Sequence, residues 1–314
     1  MPLTGLLFYA GLLLPLQEGR HLGVGESPTP GSEAMSTGTN PPGWRPRFVA
    51  AHRGGYFGDP NTISQFLATL GEGAADILEM DLRKTSDGAV VVFHDDVLDQ
   101  KTNCSGTVEA LTMQELSGCT LARNGFALPA FAKVLDAIHG RAVVDAEFKT
   151  DTVVAPAIAM VQEKHAQRWV YFQVSSDRER YQLARRLGPD ISLQFKASDD
   201  ADLSWALSLH DPMLTVVEMD RDFIDASRIE RAHGAGKLVS ENSWRYQFSE
   251  ERWVASCDRA FEMGVDIAVT NNPTSCTAQK LQPKRSRLAK LSDQIVSRQR
   301  VRIAYRSLLA WARS

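Results

Sequence analysis

A TIM (β/α)8 barrel with a β-hairpin insertion after strand 2 is the fold this sequence predicts, and three observations predict it. Eight short apolar, β-branched runs recur at 48–51, 77–82, 142–148, 169–175, 191–195, 214–219, 237–241 and 266–270. Helical patterns separate them, for example at 128–138, 178–187, 226–233 and 250–263. The length of 314 residues holds one barrel of about 250 residues plus tails. Alternation of this kind gives parallel strands joined by right-handed crossovers. A doubly wound open sheet is the alternative, but no glycine-rich phosphate loop follows the first strand as that fold favours.

The N-terminal segment, residues 1–46, precedes the first of these runs. Residues 6–16, LLFYAGLLLPL, resemble the apolar part of an export signal. No Lys or Arg precedes them, no small-residue cleavage site follows, and the run is shorter than the ~20 residues of a membrane span. Residues 22–44 are rich in Gly, Pro, Ser and Thr and read as linker. Met35 lies inside it, so a start at Met35, giving a cytoplasmic protein, and a weak export signal both stand.

The first run, FVAA, ends in His52 and Arg53. The second carries Glu79 and Asp81, two apart and therefore on one face of a strand. Thr85-Ser86-Asp87-Gly88 is a hairpin signal. Pairing about that turn sends residues 89–93 back antiparallel and sets His94 opposite Met80 or Asp81. The third run ends in Glu147 and Lys149. The barrel reading thus covers residues 47–279, and a basic, helical tail follows at 280–314. That tail holds ten Lys or Arg and one acid, which leaves −12 on the preceding residues for a net charge of −3. Val301, Tyr305 and Leu308 share a helical face ringed by Arg298, Arg302, Arg306 and Arg313, with Trp311 beyond. Contact with anionic lipid and packing on the barrel or a second subunit are both open. Nucleic acid is disfavoured, because the rest of the chain is acidic and lacks a recognition motif.

The chemistry at these strand ends is that of an anion cleaved with metal assistance. Three oxygen ligands, Glu79, Asp81 and Glu147, suit a hard divalent cation, Mg²⁺ or Ca²⁺. His52 and His94 can share general acid and base roles, and Arg53 and Lys149 can hold phosphate oxygens. The four cysteines show no metal spacing and no CxxC pair, which argues for reduced thiols; a Cys104–Cys119 bridge belongs to the exported alternative. Ser175 and Ser176 lack an adjacent base, which argues against a serine nucleophile. His139 and His233 precede glycines at helix ends, and His165 and His210 read as surface residues.

Taken in order, HRG, E-x-D, D-G, V-x-F-H-D, L-P-x-F-x-x-V-L and E-x-K resemble the glycerophosphodiester phosphodiesterase family, over about residues 48–273. The resemblance implies a TIM barrel that cleaves glycerophosphodiesters to glycerol 3-phosphate and an alcohol. It implies His52 and His94 as the acid/base pair, Glu79, Asp81 and Glu147 as cation ligands, and Arg53 and Lys149 as phosphate contacts. A relative acting on lysophospholipids, one transferring the phosphoryl group, and a barrel that binds without cleaving are the alternatives. The chain departs from the family where P-E-N-T becomes Asp59-Pro60-Asn61-Thr62, and where Asn271-Asn272 stands in place of a common acid. A late W-T-x-N segment becomes Ser240-Glu241-Asn242-Ser243-Trp244. These departures lie on the substrate side, and Glu218, Glu241 and Trp244 are expected head-group contacts for a cation such as choline.

Overall fold

The computed structural model describes residues 47–55, 60–123, 125–246 and 250–280. The expectations for residues 1–46, for Asp59 and for the basic tail beyond Lys280 lie outside these residues. The strands are β1 (Phe48–Ala51), β2 (Ile77–Lys84), β3 (Val90–Val92), β4 (Val143–Phe148), β5 (Val170–Gln173), β6 (Ser192–Ala197), β7 (Leu214–Met219), β8 (Leu238–Glu241) and β9 (Ile267–Thr270). All but β3 are parallel, in the closed order β1-β2-β4-β5-β6-β7-β8-β9, with β9 pairing back onto β1. The eight runs read from the sequence are these eight strands, with ends differing by a few residues.

The helices are α1 (Ile63–Gly71), α2 (Met113–Leu116), α3 (Phe131–Ile138), α4 (Val154–Glu163), α5 (Arg178–Leu187), α6 (Asp200–Ser208), α7 (Ala226–Gly234), α8 (Glu250–Met263) and α9 (Pro273–Lys280). Their starts are written locally. Thr62, Asp177, Asp199 and Asp225 each accept a hydrogen bond from the backbone N–H three residues on, satisfying a donor that the helix leaves open. Among the described residues no helix is long and apolar enough to cross a membrane.

Period-two alternation sorts each barrel strand. In β2 the side chains of Leu78, Met80 and Leu82 join an outer core with Phe131, Leu135, Ile158 and Phe172 between strands and helices. Ile77 joins the barrel floor with Ala50, Val143, Tyr171, Val216, Ile267 and Val269. Above that apolar floor the interior turns polar. Gln173 Nε2 donates to Asp145 Oδ2 at 2.8 Å, and Gln194 Nε2 to Glu218 Oε2 at 2.9 Å. A barrel core is packed rather than hollow, so an interior layer of acids and amides must be satisfied internally or serve the site above it.

The hairpin forms as expected. β3 pairs with β2 through Leu82↔Val92, Arg83↔Val91 and Lys84↔Val90, and Phe93 N–H donates to Asp81 O at 2.9 Å. Continued by one residue, this register sets His94 across from Met80. Gly88, at φ 88°, supplies the left-handed turn residue. The insertion continues to residue 130 around a small apolar cluster that includes Val91, Phe93, Leu98, Val108, Leu116 and Leu128.

The reduced-thiol reading is corrected. Cys104 is bonded to Cys119 within the insertion, and Cys257 of α8 to Cys276 of α9. Scattered spacing misled because the barrel, not the sequence interval, brings α8 and α9 side by side.

Candidate active site

The loop after β1 builds the first wall. His52 to Gly54 form a tight turn in which Arg53 takes the left-handed conformation, φ 52° and ψ 30°. Gly54 sits at φ 88°, and a Cβ there would meet the Phe66 ring at 2.8 Å. Its carbonyl accepts from Gln65 Nε2 at 2.9 Å and Thr69 Oγ1 at 2.5 Å, so α1 anchors the turn. Strained backbone of this kind persists where surrounding contacts over-determine it.

Arg53 reaches β2 twice. Its backbone N–H donates to Glu79 Oε2 at 2.7 Å, and its Nε lies 3.1 Å from Asp81 Oδ2. Asn61, also at positive φ, donates from Nδ2 to Asp81 Oδ2 at 2.6 Å. Lys149, just past β4, completes the cluster, with Nζ 2.8 Å from Asp81 Oδ1 and 2.7 Å from Glu147 Oε2. Ser175 Oγ adds a 3.3 Å contact to Glu147 Oε1.

These contacts shift the two buried acids in opposite directions. Burial, then the charges of Asp81, Asp145 and Glu147, push the Glu79 carboxyl well above the usual range. Burial acts on Asp81 as well, but Lys149 and Arg53 outweigh it and hold Asp81 at about 2. Lys149 in turn is held above its ordinary value: burial opposes its charge, and Asp81 and Glu147 overcome it.

His52 is fixed at an edge and a face. Its Nδ1 lies 2.7 Å from Asn271 Oδ1, and its ring stacks on Trp244 with centroids 4.3 Å apart and planes 4° from parallel. With the amide oxygen as acceptor, Nδ1 carries the proton and Nε2 keeps the lone pair. Burial first, then the charge of Arg53, lowers His52 to about 4, so the ring is neutral at physiological pH. His94 has a different partner, its own neighbour: Nδ1 lies 2.5 Å from Asp95 Oδ1.

These groups meet in a cavity of about 230 Å³ at the carboxyl ends of the strands. His52, Arg53, Glu79, His94, Glu147 and Lys149 line one side. Gln173, Ser175, Lys196, Glu218, Asn242 and Trp244 line the other. Eight of the ten sequence-derived residues line it, and the buried Asp81 stands against it beside Glu79 and Glu147; of the proposed head-group contacts, Glu218 and Trp244 reach it and Glu241 does not. Glu218 is already engaged by Asn242 Nδ2 at 2.6 Å and Lys196 Nζ at 3.2 Å. Glu241 is buried, with Oε1 2.9 Å from Arg221 Nε and Oε2 accepting from Ser243 Oγ at 2.7 Å. Asn61, Asp95, Lys196 and Asn271 were not assigned roles from sequence. Asn61 and Asp95 lie inside motif segments quoted above, Asn271 belongs to the Asn271-Asn272 departure, and Lys196 leaves no signal in the sequence.

The donor set fits a cation. One oxygen each from Glu79, Asp81 and Glu147 lie within 4.8 Å of one another. Ligands of a single Ca²⁺, at 2.3–2.6 Å from it, can be about 4.6–5.2 Å apart at most. All three donors are carboxylate oxygens, the choice of a hard ion.

A family model for the glycerophosphoryl diester phosphodiesterase family matches residues 52–275. A curated glycerophosphodiester phosphodiesterase from Caldanaerobacter subterraneus subsp. tengcongensis is 34% identical over 118 residues, 35% of this chain and 48% of that protein. The match therefore spans about half of that relative's length. A crystal structure of a glycerophosphoryl diester phosphodiesterase from Parabacteroides distasonis superposes with a TM-score of 0.67 at 20% identity, covering 77% of this chain and 89% of that one. A phosphodiesterase from Oleispira antarctica, solved with the product sn-glycerol-3-phosphate, gives a TM-score of 0.62 at 20% identity, covering 75% and 96%. At such identity the two structures speak to the fold alone.

Proposed function

The chain belongs to the glycerophosphoryl diester phosphodiesterase family, and on that premise we propose that it hydrolyses glycerophosphodiesters to glycerol 3-phosphate and an alcohol. The observation that carries this reading is the convergence of three carboxylates, two cations and two imidazoles on one small cavity. Glu79, Asp81 and Glu147 would hold a divalent cation, Mg²⁺ or Ca²⁺, which when bound neutralises charge on a phosphate oxygen. Arg53 and Lys149 bind the remaining nonbridging oxygens and stabilise the charge that develops there.

The two imidazoles divide the proton transfers. His52, neutral and with Nε2 unprotonated, accepts a proton as water attacks phosphorus. His94, oriented by Asp95 at Nδ1, returns a proton from Nε2 to the alcohol oxygen as its P–O bond breaks. The far wall supports a neutral or hydroxylated substrate end over a cationic one. Glu218 is matched by Lys196 there, and one face of Trp244 is covered by His52.

The test is release of glycerol 3-phosphate from glycerophosphoglycerol and glycerophosphocholine, with Mg²⁺, with Ca²⁺ and with EDTA, beside His52→Ala. Expected are metal-dependent release, loss on the order of 10²-fold or more in the mutant, and no preference for choline. Failure on both diesters but release from a lysolipid would transfer the reading to that class. Tight binding without any release would leave a binding barrel.

A further inference from the structure

We propose that Glu241 and Trp244 are positioning residues for His52, with a four-residue hydrogen-bonded ring acting through Trp244 to hold the imidazole; the assignment of His52 as the base rests on the function proposed above. The ring is closed. Arg221 Nε donates to Glu241 Oε1 at 2.9 Å, and Ser243 Oγ donates to Glu241 Oε2 at 2.7 Å. Ser256 Oγ donates to Ser243 O at 3.2 Å and accepts from Arg221 Nη2. Glu241 ends β8, Ser256 belongs to α8, and Arg221 follows β7, so three elements are tied at one point. Glu241, Ser243 and Ser256 are all buried.

Ser243 is the first residue of a short helical turn, Ser243–Tyr246, and it is pinned at both its hydroxyl and its carbonyl. The next residue is Trp244. Its indole N–H donates to Asn242 Oδ1 at 3.3 Å, and Asn242 Nδ2 donates to Glu218 Oε1 at 2.6 Å. The indole is therefore held from the turn beneath it and from the β7 side. Its face covers His52.

The plate and Asn271 act on different freedoms of the imidazole. Asn271 holds Nδ1 in the ring plane, while the indole opposes tilting out of that plane and keeps water off one face. A ring free to tilt would carry Nε2 away from the reacting oxygen, and displacement of about 1 Å can lower a rate by about 10²-fold. A satisfied buried polar network rigidifies what it holds. This explains a carboxylate at the end of a barrel strand that does not face the cavity.

A double-mutant cycle with an independent spectroscopic readout tests the relay. Trp244→Leu should lower kcat on the order of tenfold or more with a smaller change in KM, and Trp244→Phe should restore most of it. Glu241→Gln, and the gentler Ser243→Ala, should lower kcat in the wild-type background yet change it less than about twofold beside Trp244→Leu, because coupled residues are non-additive. In protein carrying ¹³C-labelled histidine, the His52 ring signal, assigned by its loss in His52→Asn, should sit upfield under the indole. It should move downfield in Trp244→Leu and part of the way in Glu241→Gln and Ser243→Ala. Independent, multiplying effects on kcat, or an unmoved His52 signal in Glu241→Gln and Ser243→Ala, would overturn the relay. If the wild type cleaves no diester the proposed function falls, and the ring signal alone then decides whether the relay exists.

Discussion

At His52 the decisive atom is an amide oxygen. Asn271, from the Asn271-Asn272 pair where the resemblance implies an acid, meets Nδ1, and an amide fixes a tautomer without adding charge. Burial and Arg53 are therefore left to depress the ring to about 4. A carboxylate in the same place would favour the imidazolium, and an opposite charge that close shifts a pKa by about 1–3 units. The base must be neutral to work, so activity is lost as pH falls through its pKa. Asn271→Asp should raise the acidic limb of the kcat/KM profile by about one unit or more and lower activity near pH 5 while sparing pH 8. A superimposable pH profile would remove Asn271 from the account. The same residue shows where sequence reading stops. Asn271 was noticed only as a departure from a pattern; its partner, 219 positions away, is set by β9 closing onto β1.

At the scale of the element, β2 explains both what was legible and what was not. The E-x-D spacing placed Glu79 and Asp81 on one inward face, and the T-S-D-G turn brought His94 back, because period two and turn chemistry are local. The unequal states of the two acids depend on side chains from elsewhere, Arg53, Asn61 and Lys149, and no interval in the sequence encodes them. Glu241 failed for the same reason: a strand end names a neighbourhood, and Arg221 decided the direction. The inequality has a measurable consequence. Glu79 has a folded pKa above its unfolded value, so above pH 4.5 the folded state binds more protons at this site than the unfolded state. Its contribution is stabilising at low pH and lost as pH rises through the folded pKa. A bound cation replaces that proton, so its affinity should grow with pH. Ca²⁺ or Mg²⁺ at about a hundred times Kd should stabilise the fold by about 2.7 kcal/mol. Thermal melts at pH 5 and pH 8 should show the larger metal-induced rise at pH 8 in wild type and a reduced rise in Glu79→Gln. Equal melting shifts in both proteins would exclude Glu79 as a ligand.

Across the whole molecule, the barrel and its insertion rely on different sources of stability. The barrel has an apolar floor, an outer core beneath the helices and closed strand pairing, so no edge is exposed along the ring. The insertion after β3 has one small apolar cluster, and units of that size commonly need a staple. Cys104–Cys119, with a sequence separation of 15, provides one inside the unit that follows His94 directly. Cys257–Cys276 instead joins two helices that are already buried against the barrel. Disulfides persist in oxidising surroundings and are reduced by cytosolic thiol pools, so their redox state is directly testable. Thiol titration of the denatured, unreduced protein should find no free thiol, and four after reduction. Cys104→Ser should cost about 3 kcal/mol by the loop-entropy relation, lowering the denaturant midpoint. It should lower activity less than it lowers stability, because β3 and the Phe93–Asp81 backbone bond still hold His94 near its register. Four reactive thiols before reduction, with Cys104→Ser as stable as wild type, would remove the staple and leave the insertion cluster to hold itself together.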